Sequence, residues 1–157
     1  MNPKPDRKAL THERIVETAS RAVRRSGYDG VRVAEVMQAA GLTHGGFYAH
    51  FPSREAMIVE ALERAGQDSA RRLGRRIENA PRHGISPLRA LVESYLSDAH
   101  LAAPENGCPV AALGSEMPRQ GPEVLEASRR RVRSLAERVR AALPAGTAPA
   151  EAELIAS

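Results

Sequence analysis

Residues 41–51 read Gly41-Leu42-Thr43-His44-Gly45-Gly46-Phe47-Tyr48-Ala49-His50-Phe51, followed by Pro52 and by Ser53-Arg54-Glu55-Ala56. Gly41 supplies a turn at low steric cost. It follows an apolar-periodic run, Val33, Val36, Met37 and Ala40, which predicts a short helix over 33–40. Leu42 is placed to plug the core beneath the turn. Thr43 is a candidate cap for another short helix over 44–50, in which Phe47 and Phe51 stand four apart on one face. Pro52 ends it. Two short helices joined by a glycine turn, after a longer helix, make a helix-turn-helix pattern. In that motif the first turn of the second helix faces base edges in the major groove. Gly45 and Gly46 are poor helix formers there. What they offer is close approach, with no side chain between backbone and groove. Thr43 and His44 can bond base edges or phosphates, and the helix N-terminus offers free amides to a phosphate. Tyr48, His50 and Arg54 project from later turns, where phosphates would lie.

Upstream, the spacing predicts a first helix over 12–26, capped by Thr11, with Ile15, Ala19, Ala22 and Val23 inward and Gly27 as its stop. Downstream, Ser53 is expected to cap a fourth helix over 54–79 with the stripe Ile58, Leu62, Ala65, Leu73 and Ile77. Its 26 residues would span roughly 39 Å, enough to leave one module and wall the next. Ser86-Pro87 reads as a cap and first-turn proline. It opens a fifth helix with Leu88, Leu91, Val92, Tyr95 and Leu96. A sixth helix is expected over 109–117, and a seventh over 122–143 with Leu125, Val132, Leu135, Val139 and Leu143 inward. Residues 150–157 read as the start of an eighth, with Leu154 and Ile155 beginning an amphipathic pattern that is not completed. No alternating strand pattern occurs, so the expected class is all-α.

The chain has 157 residues, 23 Lys+Arg against 19 Asp+Glu, one Cys and no Trp. That length suits one domain, or one domain with a small module attached, and it can bury a core without disulfides or metals. A single Cys excludes an internal disulfide framework and a multi-cysteine zinc site. His83, His100 and Glu105 lack metal-site spacing, so no metal and no cofactor are assigned. No apolar run reaches the roughly 18 residues of a membrane span. Residues 1–10 are polar rather than signal-like, and a soluble cytoplasmic protein without membrane contact is expected. Residues 1–55 hold nine basic and six acidic side chains, against 14 and 13 in the rest. A basic module on a near-neutral one suits an anionic partner, and a solvated surface with an Arg bias suits it equally.

Residues 11–62 resemble the TetR family of transcriptional regulators, on the string 41–51, on Ser53-Arg54-Glu55-Ala56, and on Ile15, Ala19, Gly27 and Gly30. The resemblance implies a helix-turn-helix DNA-binding domain over residues 9–69, with the reading motif at 32–51. It implies a helical effector-binding and dimerisation domain over 70–157. Its partners would be a palindromic double-stranded DNA operator and a small-molecule effector, and the protein would be a homodimeric repressor released by that effector. By position, Thr43, His44, Gly45 and Gly46 take the base-reading places, and Tyr48, His50 and Arg54 the phosphate-clamping ones. Arg32 stands where the family has Ser or Thr. It cannot cap a helix through a side-chain oxygen, a loss on the order of 1 kcal/mol, but it can reach a phosphate as a charge. Met37 stands where the family prefers Ala, which would loosen the helix crossing. In the family the last two helices form the dimer interface. The sequence reads as ending inside the first of them, so dimerisation is expected only of a complete C-terminus.

Cys108, in Asn106-Gly107-Cys108-Pro109, stands at the cap of the sixth helix, because Pro109 fits the first helical position. A thiol there can have a lowered pKa, and some family members resemble this segment and sense electrophiles or oxidants. An inert, packed cysteine is the competing reading. Tyr95, Leu96, Leu113, Met117 and Val132 are candidates for the effector pocket and equally for plain core. Arg129, Arg130, Arg131 and Arg133 fan around a helix and read as a solvated face with partners such as Glu126 for Arg130. No paired carboxylates, nucleophile–base set or phosphate loop marks an enzyme. A helical interaction protein without DNA binding is the remaining alternative class.

Overall fold

A computed structural model describes residues 6–156; Lys4 and the other residues of 1–5, and Ser157, lie outside the described residues. The described part is all helical. The α-helices are α1 (Arg7–Ser26), α2 (Val33–Ala39), α3 (Arg54–Asn79), α4 (Pro87–Tyr95), α5 (Asp98–Ala102), α6 (Pro109–Leu113), α7 (Pro122–Ala142) and α8 (Pro149–Ala156).

Helix α1 begins five residues before the expected start. Asp6, not Thr11, caps it: its carboxylate accepts from the Lys8 amide at 3.1 Å, while the Thr11 hydroxyl donates back to the Arg7 carbonyl. Ile15, Ala19 and Val23 are fully buried, as the period required. Gly27 stops the helix at φ +74°. Tyr28 is 1% exposed, although no apolar period marked it. It is tied down from both ends. Its amide donates to Glu116 Oε2 at 2.9 Å and its hydroxyl lies 2.8 Å from Ser128 Oγ. The Ser128 hydroxyl already donates to the Val124 carbonyl, so the tyrosine supplies the proton of the pair.

Helix α3 runs over the expected residues, and Ser53 Oγ accepts from the Ala56 amide at 3.0 Å. Ser86 caps α4 in the same way through the Arg89 amide. Both caps were legible because a hydroxyl before a helix satisfies an amide that has no partner inside it.

One continuous core joins α1, α2 and the first half of α3 to Leu113 and Met117 and to Val124 and Ala127 of α7. A second, smaller cluster gathers Leu73, Leu91 and Ala142. Four expectations are corrected. The sixth helix stops at Leu113, and Met117 opens a separate 3-10 turn ending at Arg119. The short helix α5 follows α4 after a break at Leu96, which is 76% exposed rather than inward. On α7 the buried face is Val124, Ala127 and Ser128, so the expected stripe is rotated and Val132 is 45% exposed. Finally, Arg130 pairs with Glu63 of α3 at 3.0 Å, while Glu126 takes Arg129 and Arg133. Beside Arg130, Arg131 also pairs with Glu63 and lies along Gly66, where a Cβ would come within 2.4 Å of its guanidinium. Among the described residues no helix is long and apolar enough to cross a membrane.

Candidate nucleic-acid interface

The turn between α2 and the next segment forms as its residues dictate. Gly41 sits at φ +71°, a conformation costly for any residue with a Cβ. The Leu42 amide then bonds back to the Met37 carbonyl at 2.9 Å, and the Leu42 side chain packs on the core. Met37 is fully buried, where an unbranched, flexible side chain can fill an irregular gap. Arg32 occupies the N-cap of α2 without a capping bond and pairs with Glu35 at 3.5 Å, its side chain 78% exposed.

The reading segment itself is not an α-helix. Residues His44–Ala49 form a 3-10 helix, and Thr43 makes no side-chain cap. The Gly46 amide bonds to the Thr43 carbonyl at 3.1 Å and the His50 amide to the Phe47 carbonyl at 2.9 Å. Two adjacent glycines weaken the α-helical alternative, and at six residues the segment is longer than most 3-10 runs. Phe47 and Phe51 anchor it. Both are 1% exposed and they stack at 5.6 Å, each worth roughly 1.5–3 kcal/mol of burial. With that anchor below, the opposite side is presented outward. Thr43, His44 and Gly45 are exposed, and Tyr48 is 74% exposed, edge-on to Phe47.

The two glycines are not required by the fold. A Cβ on Gly45 would meet nothing within 4 Å, and one on Gly46 would come no nearer than 3.7 Å, to Met37 Cε. Neither has a positive φ. Their smallness serves no internal contact.

His50 and Arg54 differ from the exposed tip. His50 is half-buried, and its Nδ1 is enclosed without a hydrogen-bond partner. Burial first, then His12 and Lys8 nearby, hold its pKa below the ordinary histidine value. His12 stacks on Phe51 at 4.5 Å and bonds Glu60 at 2.6 Å, behind the tip; no sequence pattern singled it out. The Arg54 guanidinium reaches back to the carbonyls of Tyr28 and Val31. It clamps the α1–α2 connection instead of projecting from the tip.

Of the effector candidates, Cys108 and Tyr95 line one cleft between the second half of α3, α4 and α5, with a volume of about 680 Å³. Met117 does not. It is 5% exposed and belongs to the main core, as does Leu113. Cys108 is free and 6% exposed. Its amide donates to His100 Nε2 at 2.9 Å, while His100 Nδ1 lies 2.6 Å from the Tyr95 carbonyl. A neutral imidazole with its proton on Nδ1 satisfies both bonds. Burial, then the Cys108 thiol, push the Tyr95 hydroxyl's pKa up.

An exposed tip on a glycine turn, carried by a three-element bundle, defines a helix-turn-helix protein. Residues 15–61 match the family model "Bacterial regulatory proteins, tetR family". Over these residues the N-terminal domain is of the TetR type. It is 30% identical over 105 residues to an uncharacterized HTH-type transcriptional regulator of Mycobacterium tuberculosis strain H37Rv, covering 66% of this chain and 52% of the relative. It is 27% identical over 105 residues to the HTH-type transcriptional repressor DhaR of Mycobacterium sp. strain GP1, covering 67% and 51%. The chain thus spans about half the length of these curated relatives. The fold is shared with a TetR-family regulator from Agrobacterium tumefaciens, at a TM-score of 0.73 and 23% identity, over 94% of this chain and 82% of that one.

Proposed function

We propose that the chain is a DNA-binding transcriptional regulator: a repressor that holds a palindromic double-stranded operator as a homodimer and is released by a small-molecule effector. The observation that carries this reading is the outward tip Thr43-His44-Gly45-Gly46 with Tyr48, whose glycines the fold itself does not need. Thr43 and His44 would read base edges, Gly45 and Gly46 would let the backbone approach the groove, and Tyr48, His50 and Arg32 would meet phosphates. Arg54 would position the tip through its clamp. The name of the relative DhaR supports the repressor role. Residues 9–69 would form the reading domain and 70–157 the regulatory one. An effector in the cleft would tilt α3 and change the spacing of two reading heads, which must match about 34–36 Å or a multiple. Such coupling is typically about 1–3 kcal/mol.

The test is operator selection and footprinting, followed by a salt titration of affinity. Several phosphate contacts predict a steep fall with salt. A salt-insensitive or undetectable interaction would favour the helical interaction protein instead. A thiol route through Cys108 is the second reading, favoured by its place in the cleft wall. Operator release by hypochlorite or a quinone that persists in Cys108→Ser would set that route aside.

A further inference from the structure

The cleft has an unequal charge. Arg72, Arg75 and Arg76 line it from α3, and spacings of three and four put them on one helical face. Glu93 is the one acidic residue of the lining, and Arg89, outside the cleft, already holds it at 2.7 Å. Two acids of α3 flank the cluster: Asp68 is engaged by Arg64 and Arg71, and Glu78, beyond Arg76, lies outside the lining. Among the described residues, none of Arg72, Arg75 and Arg76 makes an ion pair with a carboxylate. Leu73, beside Arg72 on α3, forms an apolar patch with Ala90 and the Tyr95 ring of α4, among polar neighbours such as Ser94 and His100.

A fourth cation lies beneath the floor. Arg24 of α1 is 4% exposed, and its guanidinium donates to the Ser20 carbonyl, the Ser20 hydroxyl and the Gly107 carbonyl, at 3.0, 3.1 and 2.8 Å. It too has no carboxylate partner. Burial and then the nearby Arg72 lower its pKa to about 10. A Cβ on Gly107 would fall 2.7 Å from the His100 ring that fixes the floor, so the ring or the turn would have to shift. A cleft whose low-dielectric walls carry one sign of charge concentrates ions of the other sign, and guanidinium groups recognise carboxylate and phosphate oxygens in particular.

We propose that this cleft binds a small organic anion, its carboxylate or phosphate held by Arg72, Arg75 and Arg76 and its apolar body laid on Leu73, Ala90 and Tyr95. The assignment rests on the reading of the cleft as the effector site and narrows the effector's chemical class. The floor carbonyl of Gly107 is held by Arg24, so neutralising the cluster acts directly on a side chain of the reading bundle.

The experiment is calorimetric titration of the chain without DNA, using four probes of one ring size: benzoate, phenyl phosphate, benzyl alcohol and benzyltrimethylammonium. The expected result is saturable binding of at least one anion, roughly tenfold or more tighter than the alcohol and with no binding of the cation. The better anion names the head group. Arg72→Gln/Arg76→Gln, at two exposed positions, should weaken that anion by about tenfold or more, and Arg72→Lys/Arg76→Lys should recover part of it. Equal affinity for alcohol and anion, preference for the cation, no saturable anion binding, or no change in the Gln pair would overturn the proposal. Operator release is read separately. Anion binding that leaves operator affinity unchanged keeps the site and removes its effector role. Release by the neutral probe alone keeps the effector role and removes the anion.

Discussion

Glu116 Oε2 accepts the backbone amide of Tyr28 at 2.9 Å, across 88 residues of sequence. The same carboxylate lies over Gly27, where a Cβ would come within 2.6 Å of it. A residue between α6 and α7 therefore closes the end of α1, next to the turn that leads into the reading motif. Glu116→Ala should cost about 1–3 kcal/mol by leaving that amide without its partner. Gly27→Ala should cost at least as much, through its positive φ and the crowding. The double variant should cost less than the sum, because the crowding is gone. A urea-denaturation cycle measures this; strict additivity would show that the carboxylate does not confine position 27.

Tyr28→Phe tests the second tie. Loss of its bond to Ser128 should cost about 0.5–1.5 kcal/mol. Burial raises the Tyr28 pKa, and the nearby Glu116 carboxylate adds to the rise. The folded state therefore keeps the phenol protonated while the unfolded chain ionises near pH 10. This contribution is fully present below that pH and is lost as pH rises through the folded value. Tyr28→Phe should flatten the alkaline side of the stability profile; an unchanged alkaline slope would contradict the assignment.

At the tip, function and stability should separate. Gly45→Ala meets open space and should change stability by less than about 0.5 kcal/mol. The same change should weaken operator binding by roughly tenfold or more if the backbone approaches the groove closely. Phe47→Ala, one residue from Gly46, should instead lose about 3–5 kcal/mol. Thermal melts and fluorescence anisotropy on the selected operator give both numbers. Unaltered affinity in Gly45→Ala would count against the close approach.

Arg54 gives the reverse pattern. Its guanidinium bonds to the Tyr28 and Val31 carbonyls predict that Arg54→Met loses about 1.5–3 kcal/mol of stability. If the clamp is its whole role, the slope of log affinity against log salt should stay unchanged. Removing a phosphate contact would lower that slope by about one unit.

His50 supplies an acid-side test. Its lowered pKa means that both states are neutral well above the ordinary value of about 6.5. Below that value the unfolded chain takes a proton that the folded one refuses, so stability falls with pH down to the folded pKa. His50→Gln should remove this part of the fall below about pH 6.5 in urea midpoints. An unaltered difference would place the acid sensitivity elsewhere.

The sequence by itself determined the helical class, the glycine turn, the bounds of α3, the Ser53 and Ser86 caps and the anchoring of Phe47 and Phe51. Each follows from a rule acting over about four residues: a positive φ, an unpaired amide, a period of 3.6. Only the tertiary structure decided the rest. Tyr28 is core because Glu116 and Ser128 reach it from far along the chain. Arg54 turns inward because two carbonyls of the α1–α2 connection face it. Arg72, Arg75 and Arg76 stand close together in the sequence, as Arg129, Arg130, Arg131 and Arg133 do. What distinguishes the two runs is whether Glu63 and Glu126 or an open cleft stands opposite. Charge compensation acts through space, so a local pattern cannot say which cation has a partner.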